Sequence, residues 1–298
     1  MFALMTNREI YRDYLLQLQQ IYSAGEVAVI TDWVFESVAG LQRADIIKNP
    51  GHTITTEKAT QLNDCLAALL RHQPVQYVLG EAWFYKMKLK VNEQVLVPRP
   101  ETEELVQLVV ESLVQKPRKV EPTNAIERIS ALDIGTGSGC IAIAVKKSAP
   151  GVSMTAIDVS QGALTVANEN AANQQTAITF LQADFLDENS WKNLPVYDII
   201  ISNPPYIPIN EKDKLDKNVT SFEPHTALFV PDNEPLLFYR KIAAFGLVHL
   251  TGKGKIYVEM HEDFAGATAE VFKKYYRVEI KKDIFGKERM LVATRELP

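Results

Sequence analysis

The chain has 298 residues, 46% of them hydrophobic and 23% charged, a composition typical of an ordinary folded protein long enough for two domains. Its formal net charge is −5 and its pI is near 5.7; with no Lys/Arg block, this argues against a surface built to neutralise duplex DNA. No apolar run reaches the length of a membrane span, and neither an internal repeat nor a low-complexity segment stands out.

Residues 6–79 are read as helical. Ile10, Tyr14, Leu18 and Ile21 recur at helical spacing, as do Leu62, Cys65 or Leu66, and Leu69, with Thr55 or Thr56 as N-cap and Pro50-Gly51 as a break. These residues define an N-terminal helical domain over 1–80. Residues 82–91 and 94–97, separated by Asn92-Glu93, read as a β-hairpin and make 81–100 a linker. From Glu101 onward strand and helix patterns alternate, which predicts an α/β domain over 101–298. A polar insert at 116–124 separates its first helix from its first strand and reads as a mobile loop.

The run Ala131-Leu132-Asp133-Ile134 leads into Gly135-Thr136-Gly137-Ser138-Gly139, followed by the helical pattern of residues 141–145. A strand, a tight glycine loop and a helix start let a ligand approach the backbone and meet inward-pointing N–H groups. The spacing differs from the dinucleotide fingerprint G-x-G-x-x-G, and the loop carries no Lys or Arg to hold a triphosphate. The next strand, 153–159, contains Asp158, placed either to accept both hydroxyls of a ribose or to cap the helix near 161–174. The third strand, 177–183, delivers Asp184 and Phe185, an acid and an aromatic suited to an adenine, with core packing an equally good reading of Phe185.

The apolar run 197–202 ends in Asn203-Pro204-Pro205-Tyr206. Neither proline can donate to a sheet, so the chain leaves it there as a stiff loop. The Asn203 side-chain oxygen and the Pro204 carbonyl can each accept one hydrogen of a planar NH2 group while Tyr206 covers its face. Strands are expected at 255–259, 277–280 and 289–294.

These pieces, in this order, resemble a class I S-adenosylmethionine-dependent methyltransferase carrying the NPPY motif of amino-group N-methyltransferases. Further segments resemble the release factor glutamine methyltransferases: residues 71–80 with Gln76-Tyr77, then Val97-Pro98-Arg99-Pro100-Glu101-Thr102-Glu103-Glu104-Leu105, and C-terminal blocks at 223–228 followed by 239–242, and at 283–289. The chain departs from the family pattern at 229–234, where a glycine-rich turn is usual, and at Glu259-Met260-His261, where E-x-G is usual.

The resemblance implies an α/β class I methyltransferase sheet preceded by a small helical domain and hairpin. It implies methylation of the side-chain amide nitrogen of the glutamine in the Gly-Gly-Gln motif of peptide chain release factors, with S-adenosyl-L-methionine as donor and S-adenosyl-L-homocysteine as product. Asn203, Pro204 and Tyr206 would carry the chemistry, with Pro205 joining them in the substrate pocket. Gly135, Thr136, Gly137, Ser138, Gly139, Asp158, Asp184, Phe185 and Asn203 would hold the cofactor, and the helical domain would dock the protein substrate. A ribosomal-protein glutamine methyltransferase, or an adenine-N6 or cytosine-N4 nucleic-acid methyltransferase, would use the same NH2 geometry, although base extraction usually needs a basic recognition surface. A non-catalytic S-adenosylmethionine-binding module would have no need of the NPPY motif.

Cys65 and Cys140 read as buried thiols rather than a disulfide, and the five histidines show no ligand spacing, so no metal is expected. Without a signal-peptide pattern the default compartment is the cytoplasm, and a monomer is the expected state.

Overall fold

The computed structural model describes residues 5–114 and 129–296. The insert predicted at 116–124 lies outside the described residues. The chain divides into two compact units: residues up to Glu81 with Asp216–Phe222, and Ala82–Leu215 with Glu223–Pro298.

The first unit is helical: α1 Asn7–Leu18, α2 Ala24–Val34, a π-helical segment Phe35–Ala39, α3 Arg43–Lys48, α4 Thr56–Leu70 and α5 Val75–Leu79. The helices start at chemical signals. Thr6 with Glu9, and Ser23 with Glu26, form reciprocal capping boxes, and Thr55 caps α4 through the Lys58 N–H. Ile10, Tyr14, Leu18, Val34, Phe35, Leu62 and Leu69 are buried together. A later helix, α9 (Lys217–Phe222), belongs to this unit although it lies far along the chain. Chain order gave no hint of that.

A hairpin of β1 (Glu81–Phe84) and β2 (Met87–Lys90) starts at the last residue of the first unit and lies otherwise in the second. Its turn is Tyr85-Lys86, both at positive φ (47° and 62°), the backbone a two-residue hairpin turn requires. The expected turn at Asn92-Glu93 is therefore corrected. Asn92 instead makes a local turn, its Oδ1 accepting the Gln94 N–H at 3.0 Å, and residues 94–97 form no strand.

After α6 (Pro100–Val114) come β3 Ser130–Ile134, α7 Cys140–Ser148, β4 Ser153–Asp158, α8 Gln161–Asn173, β5 Thr179–Gln182 and β6 Tyr197–Ser202. Then follow β7 Ile207–Pro208, α10 His225–Leu228, β8 Phe229–Val230, α11 Leu237–His249, β9 Leu250–Glu259, α12 Ala265–Lys273, β10 Arg277–Lys282 and β11 Glu288–Thr294. Seven strands form one sheet in the order β10-β11-β9-β6-β3-β4-β5. The pairs from β9 to β5 are parallel, while β11 runs antiparallel to both β9 and β10.

Strand alternation sends side chains to two cores. Ala131, Ile199, Ile201 and Tyr257 pack with α6 and α7, whereas Leu132, Ile134, Ile200 and Val258 pack with α11 and α12. The chain leaves β3 for β4 on one side and returns to β6 on the other, so the strand order reverses at β3 and opens a crevice beyond the strands' C-terminal ends. Ser202 Oγ donates to the Ile134 carbonyl at 2.8 Å, tying β6 to β3 where that crevice begins.

Candidate active site

Gly135, Gly137 and Gly139 all adopt positive φ, at 71°, 54° and 80°. The Gly135 and Thr136 N–H groups donate to the Ile157 carbonyl at 2.9 and 3.0 Å, which folds the loop back over the end of β4. The glycines differ in purpose. A Cβ on Gly135 or Gly137 would stand in open space, whereas one on Gly139 would meet Ala167 Cβ and Ile143 Cδ1 at 3.2 Å. The third glycine therefore lets α7 and α8 approach, and the first two leave the loop's outer side clear. Thr136 and Ser138 are buried within the loop, and Thr136 Oγ1 donates to Asp133 Oδ2 at 2.6 Å.

Asp158 does not cap α8. Ser160 does, accepting the Ala163 N–H. Asp158 Oδ2 accepts the Gly137 N–H and its Oδ1 the Ser160 N–H, both at 2.9 Å. Burial raises this carboxyl from its ordinary range, and the backbone donors oppose the shift. A carboxylate has about four lone-pair sites, so room remains for two hydroxyls. Asp184 is exposed, with Oδ1 accepting the Leu186 N–H at 2.9 Å. Phe185 is 5% exposed and packs against Trp191 and Phe245, with ring centroids 5.5 and 5.4 Å away. Its ring is therefore part of the core.

Asn203, Pro204, Pro205 and Tyr206 form the loop between β6 and β7, with Pro204 buried and the others partly so. Two residues that sequence reasoning did not nominate stand behind them. Asn203 Nδ2 donates to Thr102 Oγ1 at 3.0 Å, and Thr102 Oγ1 donates to Glu259 Oε2 at 2.7 Å. Tyr206 OH donates to Glu259 Oε1 at 3.1 Å, and Tyr239 OH to the Glu259 carbonyl at 3.1 Å. Burial raises the Tyr206 phenol above its ordinary value, and the neighbouring Glu259 charge adds to the shift. His261 packs edge-on to Tyr206, its ring centroid 6.0 Å away.

Two of the segments with family resemblance meet here as well. Arg99 Nη2 pairs with Glu223 Oε1 at 2.7 Å, joining the entry to α6 to the segment before α10. Asn170, 1% exposed, accepts the Lys90 N–H at 2.6 Å and donates to the Ser138 carbonyl at 2.9 Å, bracing the glycine loop against β2. A polar side chain in the middle of α8 was the available signal, but nothing in the sequence named its partners.

The residues present fit S-adenosyl-L-methionine on three counts: a glycine cradle with open space over it, a helix N-terminus behind it, and an acid with acceptor capacity at the next strand end. Among the described residues no cluster of His, Cys, Asp and Glu could hold a metal ion, and no helix is long and apolar enough to cross a membrane. Cys65 and Cys140 are free thiols.

This sheet order with one antiparallel strand near its end, and a glycine loop facing an NPPY loop across the β3/β6 crevice, define a class I methyltransferase. Two family models match: Methyltransferase small domain over residues 113–221 and PrmC N-terminal domain over residues 9–80. A release factor glutamine methyltransferase of Flavobacterium psychrophilum is 38% identical over 94% of this chain and 96% of its own length. That of Streptococcus pneumoniae is 41% identical over 92% of this chain and 94% of its own length. Among solved structures, the hMettl16 catalytic domain in complex with MAT2A 3′UTR hairpin 6 aligns at 15% identity, covering 81% of this chain and 82% of that one. Its TM-score of 0.52 speaks for the fold alone. The chain belongs to the release factor glutamine methyltransferase family.

Proposed function

We propose that this enzyme transfers a methyl group from S-adenosyl-L-methionine to the side-chain amide nitrogen (N5) of the glutamine in the Gly-Gly-Gln motif of peptide chain release factors. The observation that carries this reading is the placement of Asn203 and Tyr206 at the end of β6, across the crevice from the glycine loop, in a chain of this family.

The bound donor supplies a methyl on a sulfonium; transfer forms a carbon–nitrogen bond, breaks a carbon–sulfur bond and releases one amide proton. The glycine loop of residues 135–139 would hold the donor's amino-acid end, with Asn203 beside it. Asp158 would take the ribose hydroxyls, and Asp184 with the edge of Phe185 would take the adenine. An amide nitrogen is a poor nucleophile because its lone pair is delocalised into the carbonyl. The Asn203 side-chain oxygen and the Pro204 carbonyl, accepting its two hydrogens, would draw electron density toward nitrogen and aim the lone pair along the crevice. Pro205 keeps this segment stiff, and Tyr206 fixes the amide plane. Aligning two bound reactants in a dry site is worth roughly 7–11 kcal/mol of barrier, so the chain needs orientation more than it needs a base.

The N-terminal helical unit docks the protein substrate, leaving the glutamine to reach the pocket. The enzyme works in the cytoplasm as a monomer. The test is to incubate the full-length chain with methyl-labelled S-adenosyl-L-methionine and, separately, release factor, ribosomal proteins and DNA. Label on release factor glutamine is expected. Label confined to ribosomal protein or to DNA overturns the substrate assignment.

A further inference from the structure

We propose that Glu259 and Thr102 are positioning residues that set which end of the Asn203 carboxamide faces the substrate. This rests on reading Asn203 as an acceptor for the substrate NH2 group. Hydrogen-bond polarity sets the orientation. An ionised carboxylate only accepts, so both Thr102 Oγ1, at 2.7 Å, and Tyr206 OH, at 3.1 Å, must give their protons to Glu259. A hydroxyl has one proton. Thr102, having donated it, can offer Asn203 only a lone pair, so Asn203 must turn its Nδ2 toward Thr102, at 3.0 Å. Its Oδ1 is then the end left for the incoming amide. A reversed carboxamide would set one NH2 group against another, and no hydrogen bond could form.

Burial makes this directional. Glu259 is 1% exposed and Thr102 2%, so bulk water cannot substitute for either partner. The groups that act on the carboxylate come from several elements: Thr102 and Glu101 on α6, Tyr206 on the NPPY loop, Arg289 on β11, and Cys140 and Tyr239, whose own titrations are raised by it. Burial raises the Glu259 carboxyl, while Thr102, Tyr206 and Arg289 pull it back. The same carboxylate holds the Tyr206 hydroxyl, so one buried charge orients both side chains that would meet the substrate amide. In sequence Thr102 and Glu259 are 157 positions apart, which conceals the pairing.

The test uses the full-length enzyme with intact release factor, measuring kcat, KM and calorimetric affinity for S-adenosyl-L-homocysteine. Glu259→Gln keeps the shape but can donate an N–H to Thr102, which frees the threonine proton for Asn203 and permits the wrong orientation. Its kcat should fall roughly ten- to hundred-fold, with KM and product affinity within about three-fold of wild type. Thr102→Val should show the same split, and Thr102→Ser, which keeps the hydroxyl, should restore kcat to within about three-fold. If Glu259→Gln fails to fold, the Thr102 pair decides alone. Wild-type kcat in Thr102→Val, no rescue by Thr102→Ser, or product affinity falling in step with kcat would each overturn the proposal. If the wild type methylates a different amide or amine instead of release factor, the substrate assignment fails, and the same variants are then measured on that acceptor.

Discussion

The backbone N–H of Gly137 donates to Asp158 Oδ2 at 2.9 Å, so the acid at the end of β4 and the middle of the glycine loop form one hydrogen-bonded unit. The acid proposed to take the ribose hydroxyls thus also shapes the loop that would cradle the ligand. A residue with both duties gives a distinctive phenotype when it is removed.

Asp158→Ala should weaken S-adenosyl-L-homocysteine binding by roughly 1.5–3 kcal/mol, the range of charge-assisted hydrogen bonds. Asp158→Asn keeps one acceptor oxygen and should lose less. Calorimetric titration checks both. Unchanged affinity in Asp158→Ala would confine the residue to holding the loop.

The two inner-loop glycines should fail differently. Gly139→Ala meets Ala167 and Ile143 at 3.2 Å and adds positive-φ strain, so it should lower unfolding stability by roughly 1–3 kcal/mol. Gly137→Ala meets no atom within 4 Å and carries only the strain of its φ of 54°, about 1–2 kcal/mol, but places a methyl where the ligand would lie. Its main loss should therefore be in product affinity. Urea unfolding set beside calorimetry separates the two, and equal affinity losses would contradict the division.

Local features were legible in the sequence where one element carries its own signal. The strand ending at Ser202 was visible because two prolines stop it, and the loop after β3 because glycines alternate there. The hairpin turn was misplaced because Tyr85 and Lys86 are not residues that usually accept positive φ, whereas Asn92 is a familiar turn former. Phe185 stayed ambiguous because an aromatic at a strand end serves core or ligand equally well, and its burial against Trp191 and Phe245 comes only with the packing. Glu259 was visible only as the start of a departing motif. Its hydrogen bonds come from Thr102, Tyr206 and Tyr239, which reach it from three other parts of the chain.

Asp133 gives a pH prediction. It is fully buried beneath the loop, and burial pushes its carboxyl up to about 7, opposed by the Thr136 hydrogen bond and reinforced by Asp158. An acid whose folded pKa lies above its unfolded one stabilises the fold most when protonated. That contribution is complete below the unfolded value and is lost as pH rises toward about 7. Asp133→Asn removes this dependence and still offers Thr136 an oxygen. The variant should gain on wild type, by on the order of 2–4 kcal/mol, between about pH 4 and pH 8 in urea unfolding. A difference that does not change with pH would contradict the buried-acid account.

Remote docking is tested with the intact chain. Because α9 belongs to the N-terminal unit, a simple cut after Leu79 would leave that helix without its own unit. Short Gly-Gly-Gln peptides avoid the problem. They lack the folded partner's contacts and should show a much lower kcat/KM than intact release factor, because binding energy far from the reacting amide positions it. Peptides as good as the intact protein would remove the docking role from the helical unit.

The most direct test of the account is single-turnover methyl transfer to intact release factor by wild type and Asn203→Ala at saturating donor, with product affinity measured alongside. Loss of one oriented hydrogen bond in a dry site costs about 2.7–4 kcal/mol of barrier, so transfer should slow by roughly 10²–10³-fold while affinity for S-adenosyl-L-homocysteine changes little. Near-wild-type transfer by Asn203→Ala, or a loss explained wholly by weaker cofactor binding, would contradict the account.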